Sequence, residues 1–183
     1  TIPQALRFIS AGVRKMDALL NGLLQYSRLG RVALTIRPID MNAMLAEIVA
    51  AMRFQLDEVK ADVRIEPLPP CLGDATHTAR VFANLLDNAI KYRAPDRTPV
   101  IRVSGSIEQG QARYAIADNG IGIAPEHQAK VFEIFHRLDP SAMGGEGLGL
   151  TIAQRVLERQ KGRIWVESAA GVGTTFHVSL PAG

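Results

Sequence analysis

The stretch from about Ala75 to Tyr92 does most to restrict what this chain can fold into. Val81, Phe82, Leu85, Leu86, Ala89 and Ile90 recur at helical spacing and make an apolar face that has to be buried. Asn84, Asn88 and Lys91 fall at i, i+4 and i+7 on a second face. Two amides and an ammonium on an otherwise apolar helix have two readings. One is a solvated polar face. The other is a ligand set, because an amide oxygen is a hard neutral donor suited to Mg²⁺, which keeps waters and shares phosphate oxygens, and a lysine one turn on can meet phosphate charge. Asparagine is also a mediocre helix former.

Other segments supply what this helix could pack against. Residues 2 to 29 read as one helix in which Ile2, Leu6, Ile9, Val13, Met16, Leu20 and Leu23 alternate at spacings of four and three, with Leu19 and Tyr26 widening the stripe. That is the seam of a coiled coil or helix bundle, which cannot bury itself alone; folding back on its own domain is the alternative. Arg31 to Pro38 reads as a linker or short strand. Asp40 can cap a second helix with Met41, Leu45, Ile48, Met52, Leu56 and Val59 on one face, and Val63 and Ile65 alternate as a short strand ended by Pro67, Pro69 and Pro70. Beyond the central helix, the pattern predicts a hairpin of Val100–Ile107 and Ala112–Ala117, a short helix near Pro125–Phe132, a helix over about Leu148–Lys161, and a closing hairpin of Arg163–Ser168 and Thr175–Leu180. Strands and helices do not alternate strictly. The expected class is α+β, a two-layer sandwich with helices on one face of a mixed sheet.

Composition narrows the function classes. The 21 basic residues against 18 acidic ones give a net charge of +3 but form no Lys/Arg run, which speaks against nucleic-acid binding. Cys71 is the single cysteine, so neither an intrachain disulfide nor a thiolate metal cluster can form, and a reducing, cytoplasmic setting fits. No apolar run approaches the roughly 20 residues that span a bilayer. The start at Thr1, without methionine and already in helical pattern, suggests a piece of something longer that could be membrane-anchored upstream.

Two glycine clusters carry further chemistry. Asp118-Asn119-Gly120-Ile121-Gly122-Ile123 directly follows a predicted strand. A carboxylate at a strand end can accept a hydrogen bond from an exocyclic amine such as that of adenine, and glycines allow sharp turns and close approach. Alone, Asn-Gly is a turn signal. Gly145-Glu146-Gly147-Leu148-Gly149-Leu150 opens a predicted helix, where backbone N–H groups make an anion site. It lacks the Lys-Ser ending of a P-loop and opens no βαβ unit.

Together these features resemble the catalytic domain of sensor histidine kinases, in the GHKL ATPase superfamily. NLLDNAIKY from Asn84 is similar to the N box, DNGIGI from Asp118 to the first glycine box, and VFEIFHRLD from Val131 to the F box. GEGLGL from Gly145 is similar to the second glycine box and GTTF from Gly173 to the final threonine motif, in the family's order. The helix ending LLQYSRLG resembles the second helix of the dimerisation and phosphotransfer domain. The implied division is residues 1–30 for that partial domain, 31–38 for a linker and 39–183 for the catalytic domain.

The resemblance implies roles. Asn88 would ligate Mg²⁺, with Asn84 supporting the polyphosphate and Lys91 contacting phosphate. Tyr92 would lie against adenine and Asp118 would bind its amine, with Gly120 and Gly122 permitting the approach. Ile123 and Phe135 would complete the nucleotide pocket. Arg137 would meet the γ-phosphate; Gly145, Gly147, Leu148 and Gly149 would wrap the phosphates beneath a lid from about Arg137 to Gly147. Thr175 would hydrogen-bond near the adenine. The implied ligands are ATP or ADP with Mg²⁺. The implied partners are a second copy of the chain, through the helix bundle, and a response-regulator receiver domain.

One departure matters. Family members carry a phospho-acceptor histidine on the first dimerisation helix, whereas the four histidines here are His77, His127, His136 and His177. His77 reads as a helix-start residue, His136 as lid packing, and the other two as surface or strand positions. The expectation is a protein-histidine kinase domain that binds nucleotide and phosphorylates a histidine upstream of this stretch. The alternative is a nucleotide-dependent regulatory or phosphatase module without autokinase activity. A different GHKL ATPase is disfavoured by the F box and the preceding helix.

Overall fold

The computed structural model describes residues 12–13, 33–133 and 148–183. The seam of the first helix apart from Val13, and the lid segment with Phe135, His136, Arg137, Gly145 and Gly147, lie outside the described residues.

The chain runs β1 (Arg37–Ile39), α1 (Met41–Ala51), α2 (Arg53–Glu58), β2 (Asp62–Ile65), β3 (Cys71–Gly73), α3 (Ala75–Lys91), β4 (Val100–Glu108), β5 (Gln111–Asp118), α4 (Pro125–Gln128), a 3₁₀ turn at Lys130–Phe132, α5 (Gly149–Arg159), β6 (Arg163–Ala169) and β7 (Gly173–Pro181). The main sheet has the order β2-β4-β5-β7-β6. β2 pairs with β4 in parallel and every other neighbour is antiparallel, so the sheet is mixed. Alternation along the strands decides which face the helices cover. Ile101 and Val103 of β4, Ala112, Tyr114 and Ile116 of β5, and Phe176, Val178 and Leu180 of β7 are buried against Val81, Phe82, Leu85 and Leu86 of α3. Phe82 meets Tyr114 edge to face, ring centroids 5.5 Å apart. On the opposite face Trp165 stacks on His177 at 5.0 Å. The expected two-layer α+β architecture is the one found.

The local chemistry explains most of the elements. Asp40 caps α1 by accepting the N–H groups of Asn42 and Ala43 at 3.0 and 3.1 Å. The single helix predicted from Met41 to Val59 bends at Met52, where ψ is 3°. Hydrogen bonds from Met52 N–H to Ile48 O and from Leu56 N–H to Met52 O carry the path through the bend. The β4–β5 hairpin turns on Gln109 and Gly110, both at positive φ (51° and 74°), the geometry that matches strand twist.

A small second sheet begins within the stretch read as a linker. β1 pairs antiparallel with β3, and Thr35 N–H donates to Asp74 Oδ2 at 2.9 Å. The end of the expected linker, from Thr35 to Pro38, is thus held by the catalytic fold. Asp74 also caps α3 through His77 N–H at 3.1 Å and pairs with His77 Nδ1 at 2.9 Å. Burial by itself would raise the Asp74 pKa. The Thr35 and His77 bonds outweigh it and bring it down to about 2. His77 is a helix-start residue, as its position suggested.

Candidate nucleotide site

α3 presents its two faces as the sequence pattern requires. Val81, Phe82, Leu85, Leu86, Ala89 and Ile90 are buried, while Asn84, Asn88 and Lys91 are half-buried along the other side. Gly149, the first residue of α5, rests on the Asn84 side chain, and a Cβ there would overlap Asn84 Oδ1 and stand 2.9 Å from its Nδ2. The N box and the second glycine box therefore meet through a contact that only glycine permits. Asn84 Nδ2 is buried without a hydrogen-bond partner among the described residues, and an unmet buried donor calls for a partner. An open cavity of about 180 Å³ lies between α3 and α5, lined by His77, Arg80, Asn84, Gly149, Ile152 and Val156. Near the start of α5 Thr151 Oγ1 donates to Phe132 O at 2.9 Å, and the first N–H groups of this helix, which have no acceptor within it, begin at Gly149 beside Asn84. Leu148, beside them, is 3% exposed.

The C-terminal end of α3 touches the first glycine box. Lys91 Nζ lies 5.3 Å from the centroid of the Tyr92 ring. Tyr92 O accepts Ile121 N–H at 3.0 Å, and a Cβ on Gly120 would collide with that same carbonyl. Gly122 adopts φ 70° and packs on the Ala169 carbonyl. The close approach these two glycines allow in this structure is to protein backbone, which seats the loop between α3 and the β6–β7 turn. Ile123 is 6% exposed and belongs to the core.

Arg97 completes the loop, and sequence reasoning missed it. Its Nε donates to Asn119 O at 2.7 Å, and its Nη2 donates to Gly120 O at 2.9 Å and Gly171 O at 2.7 Å. One guanidinium fork thus ties the first glycine box to the β6–β7 turn. Asn119 adds a second tie, accepting Val100 N–H at 2.8 Å and donating to Thr98 O at 2.9 Å. No motif flags Arg97, because its partners are carbonyls brought together only by the fold.

Asp118 ends β5. Its Oδ1 accepts Gly120 N–H at 2.8 Å and Thr174 N–H at 3.3 Å. Burial raises its pKa, and those two bonds only partly counter the effect. Among the described residues no donor reaches Oδ2. Asp118 pairs with Thr174 across β5–β7, and Thr174 with Ser168 across β7–β6. The three therefore share one face, as a polar row beyond the apolar row Ile116, Phe176 and Val166. Thr175 alternates to the other face with His177 and Trp165. The threonine beside Asp118 is Thr174. Thr175, the residue singled out in the sequence, lies on the opposite face from Asp118, because in a strand one residue reverses the face.

These parts form a nucleotide-binding domain of GHKL ATPase architecture: a mixed sheet, an asparagine-bearing helix, a glycine loop at the C-terminal end of that helix, and a second helix whose opening glycine rests on Asn84. The chain belongs to the family of histidine kinase-, DNA gyrase B- and HSP90-like ATPases, whose profile matches residues 73–183, and within it is of the sensor-histidine-kinase type. It is 38% identical over 172 residues to cyanobacterial phytochrome B of Nostoc sp. (strain PCC 7120), a match taking in 91% of this chain and 23% of that protein. A structure of full-length ShkA in complex with AMPPNP superposes with a TM-score of 0.78 at 27% identity, covering 97% of this chain and 39% of that one. The mycobacterial sensor histidine kinase MprB superposes at 0.67 with 31% identity, covering 81% of this chain and 98% of that one. The chain spans about a quarter of the length of the first curated relatives it matches.

Proposed function

We propose that this chain binds ATP with Mg²⁺ and supports transfer of the γ-phosphoryl group to a histidine upstream, and from there to an aspartate of a response-regulator receiver domain. The observation that carries the reading is Oδ2 of half-buried Asp118, which no donor among the described residues reaches, an acceptor held in place by two backbone donors on its other oxygen. An adenine amine would satisfy it, and the 6-oxo group of guanine would be repelled. Tyr92 offers the ring an apolar wall. Thr174 takes the part first expected of Thr175.

At the other end, Asn84 Nδ2 and the N–H groups opening α5 are donors suited to phosphate oxygens. The Asn88 amide fits Mg²⁺, which uses few protein ligands when phosphates supply the rest. No cluster of three His, Cys, Asp or Glu competes with it among the described residues. The metal would neutralise charge on the phosphates. Lys91 would add a positive charge, and Arg137 and the glycines at 145 and 147 would close over the terminal phosphate. Phosphoryl transfer asks mainly for positioning and charge stabilisation, and this set supplies both.

The helical seam from Ile2 to Leu23 would pair with a second copy in a bundle that presents the acceptor histidine. Val13, on that seam, is 58% exposed, as an unpartnered seam residue would be. No helix among the described residues is long and apolar enough to cross a membrane, and a cytoplasmic placement fits the reading. The test is to incubate the full-length protein with ATP labelled at the γ position. Acid-labile label on the protein supports the kinase. No label, despite ATP binding and an upstream histidine, would favour the regulatory module instead. Asn88→Ala should abolish most of the Mg²⁺ dependence of ATP binding.

A further inference from the structure

Ser168 occupies the third place in the polar row and takes no part in the site described so far. Its Oγ accepts Ile123 N–H at 2.7 Å and donates to Gly173 O at 2.8 Å. It also lies 2.9 Å from Thr174 Oγ1. Its backbone is held as well, since Gln128 Nε2 donates to both Ser168 O at 2.7 Å and Ile123 O at 3.0 Å. A serine hydroxyl has one hydrogen and two lone pairs. The Gly173 carbonyl can only accept, so the hydrogen goes there. One lone pair is taken by Ile123 N–H. The remaining lone pair can only accept, and the Thr174 hydroxyl has to be the donor of the 2.9 Å bond. Thr174 Oγ1 is then left with lone pairs alone for anything in the site.

We propose that Ser168 fixes the hydroxyl direction of Thr174, so that the base end of the site presents acceptors only, and that Ser168 is thereby a specificity-determining positioning residue favouring a 6-aminopurine over a 6-oxopurine nucleotide. A carboxylate already lacks a hydrogen to donate when ionised. A threonine normally has one, and could turn it toward an oxo group and admit the wrong base. Tying that hydrogen to Ser168 removes the option. The inference rests on the reading of Asp118 and Thr174 as the base-binding pair.

The experiment is calorimetric titration of this chain and its variants with ADP and with inosine diphosphate, which carries an oxo group in place of the amine. Ser168→Ala should free the Thr174 hydrogen and lower the preference for ADP about fivefold, chiefly through tighter inosine diphosphate binding. Ser168→Thr, which keeps a hydroxyl, should preserve the preference. Thr174→Val tests the same polarity without touching Ser168. An acceptor-only Thr174 predicts weaker ADP binding with inosine diphosphate unchanged; a donating Thr174 predicts the reverse. Equal weakening of both ligands in Ser168→Ala, or loss of inosine diphosphate binding alone in Thr174→Val, overturns the proposal. If the unaltered chain does not prefer ADP, or Asp118→Asn leaves the preference intact, the base-binding reading itself has failed.

Discussion

The two ends of the site are built on opposite terms. At the base end, Asp118 Oδ1, Thr174, Ser168, Asn119 and Arg97 are joined by hydrogen bonds within the protein, and one carboxylate oxygen is left open. At the proposed phosphate end, Asn84 Nδ2 is buried and has no partner among the described residues, and α5 begins with N–H groups that its own helix cannot satisfy. A flat, largely apolar base is told apart from its rivals by a few fixed donors and acceptors, so rigidity serves it. A polyphosphate with its metal brings charge that can organise loose donors, so the site can leave them unmet until it arrives.

The sharpest way to break this contrast is at Asp118. Asp118→Asn keeps an oxygen for Gly120 and Thr174 but turns an N–H₂ toward the adenine amine. ADP affinity should fall by at least tenfold, a cost of about 1–3 kcal/mol, with the melting temperature little changed. Calorimetry and thermal melts on the same sample check both parts. Acid should mimic the substitution. With its pKa raised by burial, Asp118 takes up a proton at higher pH than an ordinary carboxyl group, so ADP affinity declines there as pH falls. Its effect on folding has the opposite sign: a raised folded pKa contributes stability that is present in acid and lost as pH rises through that pKa. Asp74, lowered to about 2, contributes stability present above the ordinary carboxylate range and lost as pH falls through about 2.

A smaller effect separates the two ends. Gly149→Ala drives a methyl group into the Asn84 amide. ADP binding should weaken about fivefold while adenosine binding holds, since adenosine has no phosphate to lose. Weakening of both alike would mean that the ends are not independent. The smallest effect is expected at Arg97. Arg97→Ala removes a surface fork that braces the first glycine box from outside. We expect a two- to threefold loss of adenosine and ADP affinity alike, matching exposed bonds of modest worth. Arg97→Lys should not restore it, because an ammonium cannot span three carbonyls.

What was legible in the sequence follows from how much of the chain each feature occupies. α3 was readable to within a residue, because its long apolar stripe marks it. The β4–β5 hairpin followed from alternation and Gln109–Gly110. β1 and β3 are three-residue strands, too short to show a period, and their pairing depends on residues far apart in sequence. In the proposed site, Asn84, Asn88 and Asp118 stood out in the sequence because local motifs hold them. Arg97 and Ser168 act through carbonyls and hydroxyls assembled from separate loops, and no local pattern encodes that. Two adjacent threonines, Thr174 and Thr175, look alike in the sequence until the strand register assigns them to opposite faces.

Whether Asp118 reads an adenine amine is tested most directly by a pair of calorimetric titrations of this chain, with Mg²⁺, against ADP and against GDP. The two ligands share their sugar and phosphates and differ at the base. Measurable ADP binding is expected, with GDP binding at least tenfold weaker, the cost of setting an oxo group against a half-buried carboxylate. Equal affinity for the two nucleotides would contradict that role of Asp118.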